Sequence, residues 1–202
     1  MSGTSKGLVE RFQAYEQFLE SFPDNCGRLT FLQIAPVSRK DVASYAQIRR
    51  SLEQAAGRTN GRFADTDWTP IRYLNRNFPH ATLMGFLRAA DVALVTPLRD
   101  GMNLVAKEFL AAQDPDDPGV LVLSNLAGAA CELTAALQIN PYDSRALGHA
   151  LQTALAMPLG ERRERHAQLL VTLREHTIDM WADRFVAALR AAPRAPFARM
   201  AG

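Results

Sequence analysis

Asp100 and Glu108 are the residues whose types and spacing first suggest chemistry. They lie in Pro97-Leu-Arg-Asp-Gly-Met-Asn-Leu-Val-Ala-Lys-Glu-Phe109. The Asp-Gly pair predicts a tight turn, and the apolar spacing after it predicts a helix that opens near Met102. The free N–H groups of a first helical turn, with the positive end of the dipole, favour negative charge. Glu108 falls about two turns beyond Gly101, so Asp100 and Glu108 can bracket one ligand. On spacing alone the same residues equally suit an ordinary βα turn with solvated charges. Lys6 stands beside Gly7. A lysine there can neutralise a diphosphate while the glycine lets the backbone approach closely. Arg39, in Pro36-Val-Ser-Arg39, can hold a phosphate through two parallel N–H bonds. Taken singly, Lys6, Arg39 and Glu108 each also read as solvated surface charges.

These residues need elements to position them. The apolar run Val92-Ala-Leu-Val-Thr96 predicts a buried parallel strand that feeds the Asp100 turn. Helical spacing of Leu8, Phe12, Tyr15, Leu19 and Phe22 predicts a helix ending before Pro23. A strand over 28–35, a helix over 41–56, a strand over 71–74 and a helix from Pro79 to 90 follow. After Asp100 the pattern predicts a helix, a strand over 120–123, a short helix over 129–133 and a strand over 137–140. Asp143 is the cap of a further helix. Two more helices cover about 159–176 and 178–190, and the tail from Pro193 reads as loose.

Strands alternating with helices predict a parallel sheet covered on both faces. Such sheets bind ligands beyond the carboxyl ends of their strands. Lys6, Arg39, Asp100 and Ala127-Gly-Ala-Ala130 all fall after strands, or where a strand belongs, which puts them on one sheet edge. Trp68 and Trp181 are assigned to packing. Trp181 forms a helical stripe with Ile178, Phe185 and Leu189, a pattern expected of core.

The chain has 202 residues, 48% of them hydrophobic, so it can bury a sizeable core. Its formal charge of +2 gives no electrostatic case for nucleic acid. Cys26 and Cys131 suggest neither a metal site nor a disulfide, and are expected to be small buried residues in a reducing compartment. The histidines have no metal-ligand spacing. No apolar run is long enough to span a bilayer, and the N-terminus lacks the basic and apolar regions of a signal peptide. The expectation is a soluble cytoplasmic protein without membrane partners.

The wording of the Pro97–Phe109 segment closely resembles the nucleotide-sugar loop of the trehalose-6-phosphate synthases, glycosyltransferase family 20. The resemblance continues through Ala111-Ala-Gln-Asp-Pro115, Pro118-Gly-Val-Leu-Val-Leu-Ser124, Ala127-Gly-Ala-Ala130, Glu132-Leu133 and Asn140-Pro-Tyr-Asp143. It includes Ser5-Lys-Gly7 and Ala35-Pro-Val-Ser-Arg39, and runs in register from about Ser5 to Leu189. It implies a Rossmann-like α/β domain over residues 5–192, the C-terminal half of a GT-B glycosyltransferase, with 193–202 as a flexible tail. It implies a retaining transfer of glucose from UDP-glucose to glucose 6-phosphate, with no metal and no other cofactor. A related synthase such as one making glucosylglycerol phosphate, and a non-catalytic nucleotide-sugar-binding fragment, are the alternatives.

By the same resemblance, Lys6 would contact the leaving diphosphate. Asp100 would bond hydroxyls of the transferred glucose. Backbone N–H groups of Gly101, Met102, Asn103, Leu104 and Val105 would meet the sugar and diphosphate. Glu108 would accept from the ribose hydroxyls, and Arg39 would hold the phosphate of the acceptor. Phe78 would border the nucleobase, although core packing is an equal reading of it. Two departures from the family pattern stand out. An arginine belongs five positions before Lys6, where this sequence has Met1. The family's first strand of this domain, central in its sheet, has no counterpart. The expectation is a truncated product, a fragment that pairs with a separate N-terminal chain and is inactive without it, or a sheet closed in another way.

Overall fold

In a computed structural model, residues 6–36 and 43–192 are described. Five strands alternate with helices along the chain. They are β1 (Phe31–Ile34), β2 (Ile71–Leu74), β3 (Val92–Val95), β4 (Val120–Ser124) and β5 (Leu137–Ile139). The helices are α1 (Leu8–Ser21), α2 (Ala43–Phe63), α3 (His80–Arg88), α4 (Leu104–Ala112), α5 (Ser144–Leu155), α6 (Leu159–Glu175) and α7 (Ile178–Ala191). Every strand pairing is parallel. Short 3-10 turns occupy Pro23–Asn25 and Gly128–Cys131.

The alternation of β4 shows how the layers are specified. All five of its residues are buried. Val120 and Val122 join Ala14 of α1 and Leu147 and Ala154 of α5 in one cluster. Leu121 and Leu123 join Phe109 and Leu110 of α4 and Leu169 of α6 in another. A period of two sends successive side chains to opposite faces, and a strand buried at every position therefore needs helices on both. The helix α5 starts where expected, with Asp143 Oδ1 accepting from the Ala146 N–H at 2.9 Å. The helix α2 runs past the periodic stretch over 41–56 into the polar, glycine-containing segment that follows, through Gly57 and Gly61 to Phe63. Thr59, fully buried within that extension, bonds the Ala55 carbonyl.

The sheet is split. β1 pairs only with β2, while β3, β4 and β5 form a second sheet. Among the described residues no strand joins β1 to β3. One helix covers both pieces: Phe12, Tyr15, Phe18 and Leu19 of α1 cluster with Phe31 and Ile71 of the first sheet and with Val92 and Leu94 of the second. The pieces are thus held together by packing where backbone pairing is lacking.

Two packing expectations are corrected. Trp181 is not core: it is 56% exposed, and Ile178, Phe185 and Leu189 along the same face of α7 are exposed too. The stripe is amphipathic as read, but periodicity identifies an apolar face without identifying what covers it. Trp181 instead stacks on Phe185 at 5.4 Å between ring centroids. Cys131 is exposed and Cys26 half-buried, both as free thiols. Cys131 ends the 3-10 turn on the carboxyl side of β4, where the chain turns outward. Trp68 is packed as expected, its indole N–H donating to the Leu29 carbonyl at 2.7 Å. No helix among the described residues is long and apolar enough to cross a membrane.

Candidate functional site

The carboxyl ends of the strands bring three segments together. The first is the Lys6–Gly7 turn. Gly7 adopts φ +62, and a Cβ there would collide with the carbonyl oxygen of Thr96, the residue just beyond β3. A glycine is therefore required for the chain to enter α1 at this point. The second segment is the Asp100 turn. The third is Leu126–Ala129, after β4. Asp100 and Ala127 form an isolated parallel bridge. The Gly128 N–H donates to the Asp100 carbonyl and the Ala129 N–H to the Met102 carbonyl, both at 2.9 Å. Gly128 itself is pressed against the Gly101 carbonyl, and a Cβ would collide with it. Ser124, fully buried, donates from Oγ to the Pro97 carbonyl at 2.7 Å. The Asp100 turn is thus fastened at both ends to the strand beside it.

Within this frame Lys6 Nζ lies 2.6 Å from Asp100 Oδ2. Asn103 Nδ2 donates to the same oxygen at 3.2 Å. Burial pushes the Asp100 carboxyl up, but the Lys6 hydrogen bond and charge, the Met102 N–H and Asn103 outweigh it and hold the group below its ordinary range. Asp100 is therefore an anion at neutral pH. The ion pair is half open to water on the lysine side, which leaves the ammonium free to meet a second anion.

Asn103 carries a role that was not anticipated. It is 8% exposed and adopts φ +76. Its Oδ1 caps α4 by accepting from the Ala106 N–H at 3.1 Å. One of the first-turn N–H groups is therefore already satisfied, and those at the tip of the helix remain for a ligand. An Asn immediately before an apolar periodic run is an N-cap signal, so this role was legible. Met102, Leu104 and Val105 are exposed and form the open lip of the helix. Glu108 is half-buried in the second turn of α4.

The structure brings Lys6, Asp100 and Asn103 into contact and places Gly101–Val105 beside them. Phe78 is half-buried in the loop after β2, edge-on to Phe86 at 5.4 Å and with Arg76 over its ring at 4.7 Å. It joins no contact of the Lys6–Asp100 group. Arg39 lies outside the described residues. Sequence reasoning also passed over Arg11, which bonds Thr96, Gln33 and the Lys6 carbonyl. No group of His, Cys, Asp and Glu suited to a metal ion occurs among the described residues.

Residues 3–191 match the glycosyltransferase family 20 pattern. The chain belongs to glycosyltransferase family 20. A trehalose-6-phosphate synthase of Enterobacter sp. (strain 638) is 56% identical over 94% of this chain and 40% of its own length. Two solved structures of the family superpose closely. One, from E. coli bound with UDP-2-fluoro glucose, has a TM-score of 0.91 at 52% identity, over 95% of this chain and 43% of that one. The other is an alpha,alpha-trehalose-phosphate synthase (UDP-forming) from Burkholderia xenovorans in complex with glucose-6-phosphate. It has a TM-score of 0.90 at 51% identity, over 94% of this chain and 42% of that one. The chain spans about 40% of the length of the curated relative it matches, and its parallel α/β arrangement is that of one part of these family members.

Proposed function

We propose that this chain is the nucleotide-sugar-binding part of a trehalose-6-phosphate synthase. In this reading it holds UDP-glucose at the carboxyl edge of the split sheet and serves a retaining glucosyl transfer to glucose 6-phosphate. The observation that carries the reading is the Lys6–Asp100–Asn103 cluster at the opening of α4. It sets a cation and free helical N–H groups, which suit a diphosphate, beside a carboxylate that can accept from sugar hydroxyls. The similarity to a relative bound with UDP-2-fluoro glucose and to one in complex with glucose-6-phosphate supports both substrates. The relatives' names favour glucose 6-phosphate over other acceptors.

In the transfer, the bond from the glucose anomeric carbon to the diphosphate oxygen breaks. A new bond forms from the same carbon to a hydroxyl oxygen of the acceptor, whose proton leaves with the departing UDP. Lys6 and the N–H groups of Gly101–Val105 would meet the charge that grows on the diphosphate. Fixed donors of this kind stabilise a developing anion without reorganising. Asp100 would orient the glucose, Glu108 the ribose, Phe78 the base and Arg39 the acceptor phosphate. The donor and acceptor are substrates, and the reading calls for no cofactor. The partner would be the remaining part of the family's length, supplied by a separate chain or by the same polypeptide.

Calorimetric titration with UDP tests the reading. Saturable binding is expected, weakened by about 1–3 kcal/mol in Glu108→Ala, the scale for losing charge-assisted hydrogen bonds. The 202-residue chain assayed alone should form no trehalose 6-phosphate. A folded chain that ignores UDP would overturn the binding reading, and robust product formation would overturn the need for a partner.

A further inference from the structure

Arg11 is a charged side chain beside the Lys6–Gly7 turn with no role in holding the nucleotide sugar as proposed. It lies just past the first turn of α1, half-buried beneath the carboxyl edge of the sheet. Nε donates to Thr96 Oγ1 and one terminal nitrogen to Gln33 Oε1, each at 2.9 Å. The other terminal nitrogen donates to the Lys6 carbonyl oxygen at 3.4 Å. All three acceptors are neutral. Among the described residues no ion pair includes Arg11, whereas Lys6, Arg58 and Lys107 each have a carboxylate. Burial draws its pKa down to about 10, with Glu10 opposing, so the guanidinium is still charged at neutral pH. A desolvated cation without a counter-ion is costly unless an anion arrives to supply one.

A second feature of the same place points the same way. The first turn of α1 has no side-chain cap, because its N-cap is Gly7 in the left-handed region. Its leading N–H groups therefore have no side-chain acceptor. Three bonds fix that guanidinium in place, so the charge is preorganised.

We infer that Arg11 is a positioning residue for the diphosphate, a fixed positive charge behind Lys6 that braces the Lys6–Gly7 backbone and draws the anion onto the open first turn of α1. The inference rests on the nucleotide-sugar reading. Thr96 and Gln33 aim the guanidinium, and the Lys6 carbonyl ties it to the turn. Because it reaches across from Gln33 in β1 to Thr96 just beyond β3, the same side chain also couples the two sheet pieces to the site.

The test titrates the full chain with inorganic pyrophosphate, UDP and uridine at low and moderate salt, for the wild type, Arg11→Gln, Arg11→Lys and Lys6→Gln. Arg11→Gln should weaken pyrophosphate and UDP about tenfold while uridine changes less than about twofold, the pattern of a lost charge and not of a lost fold. Its salt dependence should be shallower than that of the wild type. Arg11→Lys, which keeps the charge, should recover most of the pyrophosphate affinity. Equal losses for uridine and UDP, or no change for pyrophosphate, would overturn the inference. If Arg11→Gln does not fold, Lys6→Gln decides: salt-sensitive pyrophosphate binding that survives supports Arg11, and binding that becomes salt-insensitive removes it. A wild type that binds pyrophosphate but neither UDP nor uridine would refute the nucleotide reading alone. Binding of UDP untouched by Arg11→Gln would refute the Arg11 role alone.

Discussion

Asn103 lets the cost of building the site be separated into its parts. The residue does two things that conflict for most side chains. It adopts φ +76, and it caps α4 through Oδ1. Asn103→Ala loses both advantages. Losing the cap costs about 1 kcal/mol, and forcing an alanine into the left-handed region costs about 1 kcal/mol more. The sum is about 2 kcal/mol, or about 4–8 °C in Tm for a chain of this size. Asn103→Gly loses the capping side chain at a cost of only about a few tenths of a kcal/mol and is at ease with positive φ, while its extra unfolded-state freedom adds a little to the cost. It should therefore cost about 0.5–1 kcal/mol, at most half the alanine value. Urea unfolding followed by circular dichroism measures both, with the m-value expected to stay constant. A glycine variant as unstable as the alanine variant, or more so, would refute the claim that backbone conformation contributes. An alanine variant within about 0.5 kcal/mol of wild type would refute the cap as well. Both variants also release Asp100 from its Asn103 donor, so UDP affinity should fall in each by a similar factor while stability differs.

The remaining predictions concern the same turn. The Asp100 carboxyl is held below its ordinary range in the folded chain, so its charge contributes stability that is present above about pH 4, the unfolded value. That contribution is lost as pH falls through the lowered folded value. The stability gap between wild type and Asp100→Asn should thus be constant near neutrality and close on acidification, and a gap unchanged down to about pH 2 would show that Asp100 is not ion-paired. Gly128→Ala should displace the Gly101 carbonyl, because the added methyl has no space. Its signature is lost UDP binding in a chain that still melts cooperatively, and unaltered affinity would mean that Leu126–Ala129 does not set the turn.

Much of the scaffold was legible because its signals are local. β2 is bounded as expected, Asp143 caps α5, and β4 is apolar from Val120 to Leu123 and buried throughout, as a strand covered on both faces must be. Lys6 and Asp100 were placed on one edge by topology alone, and they are 2.6 Å apart. What the pattern could not show was contact between distant segments. Nothing in the neighbourhood of Arg11 announces Gln33 and Thr96 as partners, since both are ordinary residues at strand ends. Gly128 was noted as part of a loop, but the close approach that requires a glycine there depends on Gly101.

The exposed stripe of α7 and the unjoined edges of β1 and β3 have one physical meaning. Among the described residues both are left uncovered: a row of Ile178, Trp181, Phe185 and Leu189 on α7, and the parallel backbone edges at the break in the sheet. Exposed apolar area of this kind carries no benefit to an isolated domain and raises its tendency to associate. The chain spans about 40% of its curated relative's length, and under the proposed function the rest of that length would supply the covering surfaces. The site cluster differs from those edges in kind. Lys6, Asp100 and Asn103 satisfy one another with bonds made wholly inside the chain, and the turn is fastened to β4 by its own backbone. Donor binding is therefore the property expected to survive in this chain by itself, while transfer, which needs an acceptor held opposite, is the property expected to depend on a partner.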